Sequence, residues 1–316
     1  MKIFRIDSTI IKRQLAIVAA IIVMITVFSI MSPHFLTLRN FNRILSNLPV
    51  LGLVTIGMSL VMMSGGIDIS AEAVLGVAAI IVGQALLAGW PGWFVALLGP
   101  LVGGTLGLLN GLVISYGNVL PIVATLGAMY VWRAVIFIIV GGSWISGIPH
   151  TFDLISKTDF LGLPTPFYFL LLFIIAFSLI FRKTSFGWHL LSIGNNEESA
   201  RLAGVNTTKI KLIAYVLMGV LVGIAAFLYV GRYRNVEMTV AMGLSLEAIA
   251  ATVIGGTSIL GGEGTILGCL LGVFFVRLIQ NGLVLMRIPS IWDNLALGAL
   301  IVLALSFDIF FIEGGE

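Results

Sequence analysis

Residues 182–211 read RKTSFGWHLLSIGNNEESARLAGVNTTKIK, the longest polar stretch in a chain of 316 residues that is 59% hydrophobic and 10% charged. Five of the 17 basic residues lie here (Arg182, Lys183, Arg201, Lys209 and Lys211), against two acids, Glu197 and Glu198. A basic loop between apolar spans marks the cytoplasmic side of a membrane protein. Within it, NNEESARLAG reads as a short, complete helix. Asn195 or Asn196 is placed to accept the first free backbone N–H groups. Glu197 and Glu198 stand at the positive end of the helix dipole and Arg201 near the negative end. Gly204 supplies a left-handed stop. A capped polar helix held between hydrophobic spans is a handle for a second protein.

Soluble domains carry about 25% charged residues, so most of this chain does not face water. The expected fold is an all-α polytopic membrane protein, a single transmembrane domain over residues 1–316. Each span needs about 20 apolar residues. About ten spans fit, some short or broken, and they leave no room for a soluble catalytic domain. The net charge of +3 follows from basic residues flanking spans and does not call for nucleic acid. The single cysteine, Cys269, sits in an apolar run and reads as a small buried hydrophobe.

Outward from the central loop, apolar runs predict spans over about 14–31, 48–63, 71–88, 94–115, 121–140 and 164–181 before it. After it they predict spans over 210–230, 244–254, 266–285 and 291–311. Residues 32–47 read as an amphipathic connector. The first run is too long for a cleaved signal. With the N-terminus inside, residues 1–13 and 182–211 hold nine basic residues, the outer connectors six, and the spans two. That bias places both the N-terminus and the central loop in the cytoplasm.

Two Gly-rich breaks interrupt the apolar helices. The first is SGGIDIS, with Gly65, Gly66, the charge of Asp68, and Ser70 placed to cap the following helix. The second is IGGTSILGGEGT, with Gly255, Gly256, Gly261, Gly262 and Gly264 around Glu263. Both fall at cytoplasm-facing ends of helix pairs. They read either as tight interhelical turns or as the broken helices of a transporter, because irregular backbone at membrane depth needs protein or a watery cavity around it. Glu72, Arg133, Glu247 and Arg277 are charges within or beside spans, each expected to face a partner or an aqueous path. Trp132 and Arg133 together offer stacking and hydrogen bonds to a sugar-like solute, or Arg133 forms a structural ion pair. Asn110, Asn118 and Thr125 are pathway candidates or interhelical hydrogen-bonding groups.

The sequence has no GxxxxGK[ST] loop, no HExxH and no paired intramembrane carboxylates. It therefore offers no triphosphate site of its own and no catalytic constellation. A polar importer of this kind needs an ion gradient or an energy-supplying partner.

The combination GGIDIS (65–70), NGLVISYGNVLPIVATLGAMYVWR (110–133), SFGWHLLSIGNNEESARLAGV (185–205) and LEAIAATVIGGTSILGGEGTILGCLLG (246–272) resembles the ribose-type monosaccharide permeases of bacterial ABC importers. The resemblance implies about ten spans per subunit in the inner membrane and pairing with a second permease copy or paralogue. It also implies a cytoplasmic ABC ATPase that holds the ATP and Mg, and an extracytoplasmic substrate-binding protein. This chain would bind no cofactor itself. The family's cytoplasmic coupling motif falls on Gly194, Asn195, Ala200, Arg201, Leu202 and Gly204, with Glu198 inside it. One departure is Glu72, which follows GGIDIS where the family usually has a small residue. GGSWISGIPHTF (141–152) and MRIPSIWDNLALG (286–298) look closest to the branch importing autoinducer-2 and deoxysugars such as rhamnose. The expected solute is a monosaccharide or related small polyol. A secondary transporter working without an ATPase is the alternative, and it leaves the capped helix without a role.

Overall fold

The computed structural model describes residues 8–149, 158–289 and scattered positions between 291 and 302. Its elements are α1 (Ser8–Met31), α2 (Leu38–Met63), α3 (Ala71–Leu87), α4 (Gly92–Ser115) and α5 (Pro121–Val140). These are followed by the strands β1 (Asp159–Phe160) and β2 (Leu163–Pro164), then α6 (Thr165–Lys183), α7 (Ser185–Asn195) and α8 (Glu197–Leu202). The chain continues through α9 (Thr207–Tyr233), α10 (Leu244–Ile254) and α11 (Ile266–Leu285). The two strands form an antiparallel hairpin with Asp159 opposite Pro164. Among the described residues, seven helices are long and apolar enough to cross a membrane, and α3 and α10 are shorter apolar helices. The expected span at 291–311 falls mostly outside the described residues.

Three expectations are corrected. The connector expected over 32–47 shrinks, because α2 starts at Leu38, where Thr37 accepts a hydrogen bond from Asn40 N–H (3.3 Å). Arg39 and Arg43 ride on its first turns, and Pro49 sits within the helix without ending it. The segment 182–211 is largely helical rather than a loop with one helix in it. α6 runs on to Lys183, α7 follows at once, and α9 begins at Thr207 under an Asn206 cap. The outer loop expected from residue 231 begins later, since α9 continues to Tyr233 and ends on a left-handed Arg234 (φ 52°).

Burial sorts the helices into a centre and a rim. In α2, 83% of the span is buried and in α9 67%, against 11% in α5 and 17% in α1. α3 is almost wholly enclosed. Lipid tails are as apolar as leucine, so helices in a membrane associate through close packing of small residues. α4 and α9 do this. A β-carbon on Gly103 would overlap the Gly219 carbonyl, and one on Gly99 would lie 2.6 Å from the carbonyl oxygen of Gly223. The backbones therefore touch along the seam. α1 leans on α11, where the Phe28 ring fills the space beside Gly282.

Candidate coupling and translocation site

The polar helix of the central segment is α8. Asn196, not Asn195, is its cap and accepts from Ser199 N–H (2.8 Å). Gly204 takes the left-handed conformation just beyond its end (φ 87°). Glu198 and Arg201 pair on its solvent side at 2.6 Å, and this hydrogen bond holds the guanidinium pKa above its ordinary value. Glu197 pairs with Lys211 on the second turn of α9. Ala200 is buried against the body while Leu202 is 80% exposed. Between α8 and the turn after α4 lies a polar cavity of about 730 Å³ lined by Tyr116, Asn118, Glu198, Arg201 and Thr208. Asn118 thus faces α8 rather than the interior of the bundle.

The structure brings the coupling motif and both Gly-rich breaks to one point. A β-carbon on Gly194, at the end of α7, would overlap the carbonyl oxygen of Met63 and the nitrogen of Gly262. Gly262 N–H itself donates to Met63 O (3.1 Å). A β-carbon on Gly261 would meet Gly65 Cα at 2.9 Å and Gly194 Cα at 3.0 Å, and one on Gly262 would overlap the Asn195 side chain. Gly264 packs against Met63 and Thr257, and Gly66 lies under the hydroxyl of the buried Tyr215. Gly256, Gly261 and Gly262 adopt positive φ, which L side chains disfavour. Gly255 ends α10 and packs on the Gly268 carbonyl of α11. Three chain segments therefore meet with main chain in direct contact at Met63, Gly194 and Gly261–Gly262. Displacement of one has to be taken up by the others.

A second junction lies deeper. After Gly66 the chain is irregular through Asp68 and turns at Ile69 and Ser70, and α3 begins only at Ala71. Thr125 Oγ1, on the first turns of α5, accepts from Ile69 N–H (3.2 Å). Ser70 stands at the start of α3, but its side chain does not cap the helix. It donates to Asp68 Oδ1 (2.6 Å) and accepts from Asn110 Nδ2 (2.7 Å). α10 has 11 residues, about 16 Å of helix, short of the ~30 Å hydrocarbon thickness. Its C-terminal end leads into the glycine junction, and its N-terminal end meets α3. Glu72 N–H donates to Ser245 Oγ (3.0 Å), Ser245 Oγ donates to Ile69 O (2.8 Å), and Gly243 N–H donates to Glu72 Oε2 (2.8 Å).

Two helix N-termini thus converge on one carboxylate, and their dipoles favour its charge. Arg133 completes the arrangement. It pairs with Glu72 Oε1 at 3.0 Å and donates to the carbonyls of Met238 (3.2 Å) and Val240 (3.0 Å). Of the two readings of Arg133, this is the structural ion pair. Trp132 is partly buried beside it, with an indole N–H that has no partner among the described residues. Glu247 lies elsewhere, on the far side of α10, where it pairs with Arg277 at 3.2 Å.

Sequence reasoning missed Met63, Tyr215, Gly243 and Ser245. It also missed the Gly99, Gly103, Gly107 and Gly111 series of α4, although their four-residue spacing is legible as a packing seam.

The family described as "Branched-chain amino acid transport system / permease component" matches residues 40–305. The chain belongs to this permease family. The chain is also similar to the "Autoinducer 2 import system permease protein LsrC" of Yersinia enterocolitica, 32% identical over 92% of this chain and 80% of that protein. The protein of the same name from Photorhabdus laumondii is 32% identical over 94% of this chain and 89% of its own length. That of Yersinia pestis is 33% identical over 92% and 82%. No solved structure matches. The chain is accordingly a multi-pass inner-membrane permease of the sugar-type ABC importer class, and the four motifs that suggested this class lie at its two buried junctions and on α8.

Proposed function

We propose that this permease moves a small polyhydroxylated solute of the autoinducer-2 and monosaccharide class across the membrane, powered by a separate cytoplasmic ATPase that grips α8. The observation that carries this reading is the glycine junction. α8 begins three residues after Gly194, and Gly194 is wedged between the two breaks at 63–66 and 261–264. A partner that closes on ATP and pushes α8 would move both breaks together, and with them the short helices α3 and α10.

The exposed Leu202 beside the Glu198–Arg201 pair gives the partner an apolar anchor with a charged rim, the usual anatomy of a protein contact. ATP and Mg belong to the partner. The solute arrives on the opposite face from an extracytoplasmic binding protein, and a second permease copy or paralogue completes the assembly. The solute class is supported by the autoinducer-2 import named for the relatives. The test is uptake of labelled autoinducer-2 into proteoliposomes with each component omitted in turn. Uptake should need both the ATPase and the binding protein. Import by this chain alone on a proton or sodium gradient would overturn the reading.

A further inference from the structure

Tyr215, on the third turn of α9, is buried at 1% exposure. Its ring belongs to the apolar core, but its hydroxyl reaches the first Gly-rich break and has no hydrogen-bond partner among the described residues. A buried donor left unpaired is unfavourable, and a phenylalanine here would avoid the loss. The break also makes room for this one oxygen. A β-carbon on Gly66 would lie 2.5 Å from the Tyr215 hydroxyl and 3.2 Å from Val61 Cγ1. Gly66 is not among the residues with positive φ, unlike Gly65 (φ 81°), so close approach rather than backbone conformation calls for glycine there. An unpaired donor and a flexible glycine thus serve the same hydroxyl, which gains nothing from either in this conformation.

An acceptor stands two residues further along the break. Asp68 is 2% exposed, and its charge acts on the Tyr215 phenol. Both well-formed hydrogen bonds to its carboxylate fall on Oδ1, from Ser70 N–H (2.9 Å) and Ser70 Oγ (2.6 Å). Asn110 and the Ala71 N–H act on it as weaker donors, and all of these groups are uncharged. A carboxylate takes about four donors, and an enclosed one in a membrane protein calls for a strong partner. An idle donor on α9 and a carboxylate with capacity to spare are therefore separated by a short stretch of irregular chain.

That stretch and α9 lie on either side of α8 in the chain. Gly194, three residues before α8, stands against the break, with its Cα 4.0 Å from a β-carbon built on Gly65. α9, which carries Tyr215, starts at Thr207 after α8 ends at Leu202. A push on α8 therefore acts on both parties. We propose that Tyr215 is a positioning residue for transport: when the partner closes on ATP and displaces α8, the break shifts against α9, and the Tyr215 hydroxyl donates to the Asp68 carboxylate and holds the break in its displaced position. The inference rests on the importer reading above and names the side chain that secures the moved state. The conformation described here is the one in which that donor is idle.

The test is Tyr215→Phe, which removes only the hydroxyl, in the importer assembled with its ATPase and binding protein. Without nucleotide the variant should unfold at the wild-type temperature or slightly above it, because no bond is lost. With a non-hydrolysable ATP analogue the wild type should be the more stable of the two. Stimulation of hydrolysis by loaded binding protein should fall about tenfold, the value of one hydrogen bond to a charged group. In an Asp68→Asn background the same change should lower stimulation by less than about twofold more, since the charged acceptor is already gone. A Tyr215→Phe importer with wild-type stimulation, or one destabilised equally with and without the analogue, would overturn the assignment, the hydroxyl then being idle throughout or part of the resting fold. A full tenfold further loss in the Asp68→Asn background would remove Asp68 as the acceptor. A wild-type importer whose hydrolysis does not respond to loaded binding protein would instead refute the importer reading, and this role of Tyr215 with it.

Discussion

Gly194 lies against the main-chain carbonyl of Met63 so closely that no β-carbon fits between them. This contact joins the segment preceding α8 to the end of the most deeply buried spanning helix. Gly262, donating to the same carbonyl, adds the break between α10 and α11. The segment preceding α8 therefore touches the end of α2 and the break between α10 and α11 at main chain.

The Glu198–Arg201 pair is exposed on both sides, at 61% and 66%, and exposed pairs contribute little to folding. Arg201→Glu should leave the thermal unfolding temperature of the purified permease unchanged. It should also abolish the stimulation of partner ATP hydrolysis by solute-loaded binding protein. Loss of stability with stimulation intact would mean that α8 supports the fold rather than the coupling.

Glu72 and Arg133 are enclosed, with side-chain exposures of 10% and 18%. Removing one partner strands the other charge, a loss of about 3–5 kcal/mol for buried pairs. Glu72→Gln and Arg133→Gln should each lower the unfolding temperature in detergent. The double variant should recover part of the loss, because no lone charge remains. A double variant as unstable as the sum of the singles would show that the two side chains act independently.

The α4–α9 seam gives a comparison between neighbouring glycines. Gly103→Ala drives a methyl group into the Gly219 carbonyl, whereas Gly104→Ala meets only the Val220 side chain, at 2.9 Å. Overpacking against main chain costs about 1–3 kcal/mol, so Gly103→Ala should be the less stable variant in thermal unfolding. Equal stability of the two would show that the helices separate freely.

The sequence revealed elements well where a single run carried the signal. The predicted ends of α5 at Pro121 and Val140 coincide with those in the structure, as do those of α10 and α11, because proline, glycine or a cap marks each boundary. α2 was read short because Arg39 and Arg43 dilute the hydropathy of its first turns, although nothing between Leu38 and Pro49 breaks a helix. α7 was missed for a different reason. Its buried positions, Gly187, Leu190 and Ile193, are few and spaced among polar residues. Both glycine breaks were legible as features, but their meeting at Gly194 was not, since it depends on contacts with Met63 and Gly262, 131 and 68 residues away along the chain. Glu72 looked like an intrusion until Gly243 and Arg133 were seen around it.

The measurement closest to the central claim uses Gly194→Ala in the reconstituted importer, following ATPase co-purification, solute-stimulated hydrolysis and uptake. α8 itself is untouched by this change, so the ATPase should still co-purify and retain its basal hydrolysis. Stimulated hydrolysis and uptake should fall roughly tenfold or more, as for other losses of one to two kcal/mol in a coupled step. Wild-type stimulation and uptake in this variant would contradict transmission through the Gly194–Met63 contact.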